Sequence, residues 1–574
     1  MWGYQPHYRS SVQYLVRNVL KEIGAGADID ACVMLVGARR PGSNNPNSVC
    51  VEPEDGRWPL AIFENLLQSI ESTYIDHPLK DIFYSDEISM REKPEWMRRD
   101  SVSKSVARAL EGFDADNALI SFCGKAHLID DYYVTPVVQV PKSLLRVFPP
   151  LDALPPTHWG GGNGHRSLIH AALSAVLDEA SQELLSPEPG RSMGSKMRSA
   201  EELVRAAARN FMHTPGIAIS NRYTHTDLFD RFNLISSLLY EGSEGVGHIV
   251  LANSSNASVK YMIRFQQPVP FREPRWARKI LQMAASDLAL ISDCEHIYGL
   301  GQLDPSRDPQ LQDAFTIDFL DHYHWELRCG PMVMLRSHFG VPMLPFEVIE
   351  QDLFISNYAR LFPESSPEDR SHIWNLFSIV SHQNHGSMIV VTGDAANEAR
   401  RLATQGTGIE PVRLTDQLLR RVSVIDGTII LDPMGQCHAV GVILDGMATD
   451  ECTPSRGSRF NSAVRYVQSG NAKRLAIVVS DDRTVDIFPK LRPSVSRALL
   501  ERNIAEFEVA TLDNYHKPRN WLDSHRFYLN PLQCSRVNAT LERLGALPKE
   551  VGEIYIMTST FELDEEWEDS YLID

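Results

Sequence analysis

Cysteine is sparse in this sequence and shows no arrangement. The 574 residues hold eight, Cys32, Cys50, Cys123, Cys294, Cys329, Cys437, Cys452 and Cys534, and no two form a CxxC pair. A dense, even framework would mark a disulfide-stapled secreted domain, and paired CxxC motifs a zinc site. Neither is here, so these read as reduced thiols, most of them packing residues. No run approaches 18 apolar residues, so no membrane span is expected. The opening MWGYQPHYRSSVQYL has neither an apolar core segment nor a cleavage site. No signal peptide is expected, and a cytoplasmic location follows as the expectation. Positive charge is in deficit: 56 Lys and Arg against 74 Asp and Glu give a formal net charge of -18. General affinity for nucleic acid needs basic surface to displace counterions, which argues against nucleic acid as a partner. A small anionic ligand needs only a few local positives and is compatible with this balance.

What is present is ordinary globular material, 43% hydrophobic and 23% charged. The length supports several cores. Helical spacing at VQYLVRNVLKEI (12–23) precedes short apolar runs at 32–38 and 117–124, which read as buried strands. YYVTPVVQVP (132–141) reads as an edge strand because of Pro136. FPPLDALPPTHWGGGNGH (148–165) is a linker or long loop; its GGGNGH lacks the Gly-Lys-Ser/Thr ending of a phosphate loop. A helix at 167–185, a polar linker at 186–199 and a helix at 200–212 follow. Strand patterns return at 247–253, 260–265, 287–293, 322–329 and 331–337, with a helix at 274–284. His322 and His324 read as exposed strand residues, and His382 and His385 of HQNH as a polar helix end. From 387 onward apolar strands and amphipathic helices alternate, which predicts an α/β layer fold. A small strand is expected at 553–563, and the last 13 residues, seven of them acidic, read as a solvated end.

Three segments carry chemistry. VIDGTIILDPMG (424–435) puts Asp426 ahead of a glycine at the start of an apolar strand, where a carboxylate on a rigid edge suits a metal or a base. The same pair also fits a plain turn. RGSRFNSAVRY (456–466) puts Gly457, Ser458 and Arg459 at a helix start, where backbone N–H groups and a guanidinium suit phosphate oxygens. A serine-capped surface helix is the alternative, and Arg456 or Arg465 can add charge. VVSDDRTVDIF (478–488) ends a strand with Ser480, Asp481 and Asp482, a pair of carboxylates suited to Mg²⁺ or Mn²⁺ on triphosphate oxygens, or else a polar hairpin turn.

Order and spacing together resemble the diadenylate cyclase (DAC) domain over roughly 380–490. HGSMIVVTGDAANEARRLATQGTGIEP is similar to that family's first strand and helix, and HAVGVILDG to the strand before its phosphate-binding segment. The resemblance implies a mixed-sheet nucleotidyltransferase domain near the C-terminus, with one or two α/β domains of sensor type ahead of it. The implied divisions are an N-terminal α/β domain at 1–147, a linker and helix at 148–199, a second α/β domain at 200–360, the cyclase-like domain at 370–492 and an extension at 493–574. It implies ATP as substrate, Mg²⁺ or Mn²⁺ as cofactor, and a homo-oligomer with cyclase domains face to face. In that arrangement each ATP's 3′-hydroxyl attacks the other's α-phosphate and cyclic di-AMP forms. Asp426 takes the metal-binding and 3′-hydroxyl-activating position. Gly427 and Thr428 stand where the family has Gly-Ala, and Leu444 where it packs near adenine. Gly457 leads the phosphate-binding segment, Ser458 and Arg459 stand in the Thr-Arg positions, and Ser480, Asp481 and Asp482 in the Ser-Glu-Glu positions. The departures are Phe460 and Asn461, where the family has His-Arg; Asn461 is still expected to bind the nucleotide, by a hydrogen bond to phosphate without added charge. These departures raise a second expectation, a nucleotide-binding regulator without turnover.

Overall fold

The strand and helix patterns of the first 345 residues resolve into two sheets that share one core. The structure is a computed structural model. It describes residues 1–25, 29, 31–54, 56–152, 154, 164–191, 197–221, 224, 226–284, 288–308, 310–345, 349, 351–381, 383, 385–447, 449, 452, 457–469, 472–480, 485–512, 514–547, 559–564 and 566–574. The chain divides into two units, Met1–Glu347 and Val348–Asp574.

In the first unit, β1 (Cys32–Arg39), β2 (Val49–Glu52), β3 (Leu119–Cys123), β4 (His127–Ile129) and β5 (Tyr132–Pro141) form an antiparallel sheet in the order β2-β1-β5-β3, with β4 also on β5. The expectation of an edge strand at 132–141 is corrected: β5 is central and Pro136 pairs with Leu35. The missing N–H is tolerated because β4 pairs with residues 132–134 of β5 and β3 with 137–141. Pro136 thus faces the gap between β4 and β3, where its carbonyl accepts from Gly124 N at 2.8 Å. Helices α1 (Gln5–Glu22), α2 (Leu66–Ile75), α3 (Glu87–Asn117), α4 (Lys142–Val147) and α5 (Leu168–Glu183) accompany this sheet. Then come α6 (Ala200–Phe211), α7 (Thr214–Ser220), α8 (Leu228–Ser237) and α9 (Pro274–Leu281).

The second sheet comprises β6 (Gly247–Ala252), β7 (Val259–Pro270), β8 (Ala289–Ser292), β9 (His296–Leu303), β10 (Ala314–Asp321), β11 (His324–Cys329), β12 (Met332–His338) and β13 (Val341–Met343). Its order is β13-β12-β11-β10-β6-β8-β9-β7. A single buried cluster runs from Tyr8 and Val12 on α1 through Leu173 on α5 and Ala207 on α6 to Ile249, Phe315 and Trp325 of this sheet. The helix read between two linkers, α5, is thus core material. His324 is buried rather than exposed, and His322 lies in the turn before β11, so the two do not share a strand face.

The second unit is built on a six-stranded mixed sheet: β14 (Ser387–Thr392), β15 (Thr407–Arg413), β16 (Thr428–Leu431), β17 (Gln436–Val442), β18 (Arg474–Val479) and β19 (Val485–Phe488). The order is β15-β17-β16-β14-β18-β19, with β14 and β16 parallel and the other pairs antiparallel. Helices α10 (Gln351–Leu361), α11 (Pro367–Ser381) and α13 (Asp416–Val422) cover one face, where Phe354, Phe377 and Leu419 meet Ile389, Ile429 and Ile477. Helices α12 (Ala395–Arg401) and α14 (Ser458–Gln468) cover the other, where Ala395, Ala463 and Tyr466 meet Met388, Ile430 and Val478. The central strands β14, β16 and β18 are buried on both faces, which is why they read as hydrophobic runs, whereas the edge strand β15 is exposed along most of its length.

Beyond 493, α15 (Arg497–Glu508), α16 (His516–Ser524) and α17 (Pro531–Gly545) hold a core of their own. The acidic end keeps most of its carboxylates exposed, and it is also tied down at several points. β21 (Leu572–Ile573) pairs with β20 (Val495–Ser496), Glu568 meets Arg360 at 3.0 Å and Lys473 at 3.4 Å, and Arg497 donates to Asp569 at 2.8 Å. Most of the strand expected at 553–563 lies outside the described residues, and 559–563 have no regular structure.

Candidate functional site

Strand register brings the chemistry-bearing segments to one edge of the mixed sheet. Met388 of β14 lies opposite Thr428 of β16, so Gly427 is level with Ser387. β18 runs the other way and ends with Val479 opposite Ser387. Asp426-Gly427 and Ser480 therefore flank β14 on the same edge, two strand spacings or about 9–10 Å apart. This edge is the carboxyl end of β18 but the amino end of β14 and β16. The rule that open parallel sheets carry ligands at carboxyl ends therefore does not locate it.

Two glycines shape the Asp426 corner. Gly427 has φ +118, and a Cβ there would lie 2.5 Å from the backbone of Gly441, itself at φ +63. Only glycines permit that crossing of β16 and β17. The corner lifts Asp426 to the rim, where its side chain is 90% exposed. Its Oδ1 accepts from Nη2 of Arg459 at 3.1 Å, across 33 positions of sequence. Thr428, one residue inward, is fully buried, and its Oγ1 has no hydrogen-bond partner among the described residues.

The start of α14 lies at this corner. Gly457 occupies the cap position and, as a glycine, makes no side-chain cap hydrogen bond of its own. The serine-capped alternative does not hold, because Ser458 is the first helical residue and is exposed. A helix start presents N–H groups and the positive end of the helix dipole, which suit an anion. Asn461 turns its Nδ2 onto the Gly457 carbonyl at 3.3 Å. Phe460 packs edge-to-face on Phe488, with ring centroids 5.1 Å apart. Leu444 is buried in the core beside Ala463 and Tyr466. Arg465 stands in the last turn of α14, about 10 Å along the helix from Ser458, and does not add charge at the helix start. Arg456, Asp481, Asp482 and His382 lie outside the described residues.

Among the described residues no group of three or more His, Cys, Asp or Glu side chains is placed to hold a metal ion. Asp426 supplies one hard, exposed carboxylate with only Oδ1 hydrogen-bonded. Mg²⁺ keeps several waters and is commonly held by one or two carboxylates plus substrate phosphates, so this donor chemistry fits a cation that arrives with a nucleotide. No described helix is long and apolar enough to cross a membrane.

Sequence reasoning missed Gly441, the partner in the glycine crossing, although a glycine inside the apolar run HAVGVIL is the signal of a close backbone approach. It also missed Glu398, Arg401 and Asp445, which join α12 to the loop after β17. Charges three apart on a helix are common on solvated faces and gave no signal.

The fold and the site define an α/β unit with a helix start, a guanidinium and a carboxylate gathered at one sheet edge. Residues 377–490 match the family described as "DisA bacterial checkpoint controller nucleotide-binding", the DAC domain. Residues 1–212 match "Probable sensor domain DACNG" and residues 226–330 match "Probable sensor domain DACNH". The chain thus carries two sensor-type domains followed by a DAC-type nucleotide-binding domain. Among solved structures, a double mutant of DacA from Staphylococcus aureus is 20% identical, over 25% of this chain and 97% of that one, with a TM-score of 0.19. A hypothetical membrane spanning protein from Bacillus cereus is 22% identical, over 22% of this chain and 62% of that one, with a TM-score of 0.18. No curated protein matches the chain.

Proposed function

We propose that the second unit is a diadenylate cyclase-type nucleotidyltransferase that condenses two ATP to cyclic di-AMP, or a related cyclic dinucleotide, and releases two pyrophosphates. The observation that carries this reading is the Asp426–Arg459 contact of 3.1 Å at the start of α14. It joins a carboxylate, a guanidinium and backbone N–H donors at one corner. Phosphoryl transfer asks for little else, because it is mostly positioning and charge neutralisation.

In this reading the N–H groups from Gly457 onward, Ser458 and Arg459 bind the phosphates. Gly427 and Thr428 line the approach, Leu444 backs the adenine, and Ser480 faces the nucleotide across β14. Asp426, with Asp481 and Asp482, would hold Mg²⁺ or Mn²⁺, which when bound neutralises phosphate charge. Asp426 also accepts the proton of the ribose 3′-hydroxyl. The 3′-oxygen of each ATP then bonds to the α-phosphorus of the other, and the bond from that phosphorus to the pyrophosphate oxygen breaks. Two domains must therefore meet. Exposed aliphatic side chains at Val424, Ile425, Ile443 and Met447 support a second copy as the partner. The two preceding domains would sense a signal, and the setting is cytoplasmic.

A second reading, nucleotide binding without turnover, is favoured by Phe460 and Asn461. Where the family has an imidazole and a second cation, this chain has a ring packed on Phe488 and an amide turned to its own helix. Pyrophosphate release from ATP with Mn²⁺ or Mg²⁺ decides between the two. Release together with a cyclic dinucleotide supports the enzyme. ATP-induced thermal stabilisation without release supports the regulator.

A further inference from the structure

The loop that leaves β17 carries the buried Leu444 and packs on the last turn of α14, with exposed aliphatic side chains on either side of these contacts. Ile443 and Met447 are 66% and 82% exposed. Leu444 is buried, and Gly446, at φ +148, touches the α14 backbone so closely that a Cβ would lie 2.7 Å from Arg465. Between them stands Asp445, whose hydrogen-bond partner among the described residues is Arg401. The two form a bidentate pair, with Nη2 to Oδ1 at 2.8 Å and Nη1 to Oδ2.

Arg401 is itself anchored. Its Nε and Nη2 each donate to the Glu398 carboxylate at 2.9 Å. Glu398 is 5% exposed. It also accepts from Tyr466 Oη of α14 at 2.6 Å and from Arg474 Nη2 at the start of β18 at 3.1 Å. The Arg474 guanidinium lies 3.9 Å over the Tyr466 ring. One buried carboxylate thus ties α12, α14 and β18 together, and Arg401 extends that tie to the loop. The planar fork of arginine is what lets one side chain serve two carboxylates.

We propose that Arg401 is a positioning residue of the nucleotide site: by bridging Glu398 and Asp445 it fixes the Ile443–Met447 loop against α14, so that the adenine side and the phosphate side of the site keep their relative places. This rests on the nucleotide-site reading above. The Arg401–Asp445 pair is half exposed. Exposed pairs add little to global stability, so its loss affects the order of the loop and the nucleotide affinity rather than the fold.

The test uses the full chain and the variants Asp445→Ala, Arg401→Ala, the double variant, Asp445→Glu, and Arg400→Ala as a neighbouring control. Three readouts are taken: amide hydrogen exchange of residues 443–447 and 458–461 without ligand, calorimetric binding of the α,β-methylene analogue of ATP with Mg²⁺, and melting temperature. The proposal expects faster exchange in both stretches and about three- to tenfold weaker analogue binding in Asp445→Ala. The melting temperature stays near that of wild type. Asp445→Glu restores binding, Arg400→Ala changes nothing, and the double variant is no weaker than Arg401→Ala. Unchanged exchange in Asp445→Ala, or unchanged affinity where wild type binds the analogue, overturns the proposal. A wild type that binds no analogue overturns the nucleotide-site reading itself, before any variant is compared.

Discussion

At Gly427 a single hydrogen atom decides whether β16 and β17 can cross. Gly427→Ala would force a Cβ to within 2.5 Å of the Gly441 backbone at a φ of +118. That should destabilise the second unit by about 2 kcal/mol or more, read as a lower denaturation midpoint. Thr428 makes the opposite prediction. Its buried Oγ1 has no partner among the described residues, and a buried unsatisfied hydroxyl costs about 1–3 kcal/mol. Thr428→Val, nearly the same shape, should therefore raise the denaturation midpoint of the unliganded protein by about 1 kcal/mol. A lower midpoint would show that the hydroxyl is satisfied. Arg459 serves both readings of the site, so its replacement by alanine should weaken ATP binding whether or not turnover occurs. A charge-assisted hydrogen bond contributes about 1.5–3 kcal/mol, so calorimetry should show roughly tenfold weaker binding or worse.

At the scale of elements, the Glu398 carboxylate ties one helix face to the sheet, and its titration should show in the stability curve. Hydrogen bonds from Arg401 hold its pKa below the ordinary 4.5, against burial and with help from Tyr466 and Arg474. A group whose folded pKa is depressed contributes stability above its unfolded value and loses it as pH falls through the folded one. Urea unfolding of wild type should thus weaken below about pH 4.5, and Glu398→Gln should flatten that decline. The C-terminal strap makes a second prediction. Tyr571 is buried against Phe527, and Arg360 lies 3.8 Å over its ring. Tyr571→Ala should cost about 3–5 kcal/mol and expose 493–574 to protease first. The central strands of the second unit were legible because both sheet faces are covered there and they run as apolar stretches; the exposed edge strand β15, TGIEPVR, carries no such pattern and was not read. β9, in the first unit, was not read: Gly299 and Gly301 interrupt its apolar pattern, yet they let β7 approach, since a Cβ at Gly299 would lie 2.1 Å from the Ile263 carbonyl. The acidic end misled for the converse reason. Its charges find Arg360, Lys473 and Arg497, which lie 72 or more positions away in sequence. At the candidate site, Asp426 and Arg459 were legible from spacing, while the Arg401 tie is a product of tertiary packing alone.

Across the whole molecule, two sensor-type domains precede a DAC-type nucleotide-binding domain, and the proposed condensation consumes two ATP. If each ATP supplies the other's nucleophile, a lone chain has no attacking partner. The specific rate should then rise with protein concentration and level off once the chains are paired, with light scattering on the same samples reporting the paired species. The central claim is that Asp426 works on ATP at the corner it shares with Arg459. The most direct measurement is mass spectrometry of the products after incubating the purified full chain, and Asp426→Asn beside it, with ATP and Mn²⁺ or Mg²⁺. The account predicts a cyclic dinucleotide from the wild type and none from the variant, with the variant still folded by its melting temperature. A cyclic product from both would remove Asp426 from the chemistry. No product from a paired wild type that binds ATP would contradict the enzyme reading and leave the nucleotide-binding regulator.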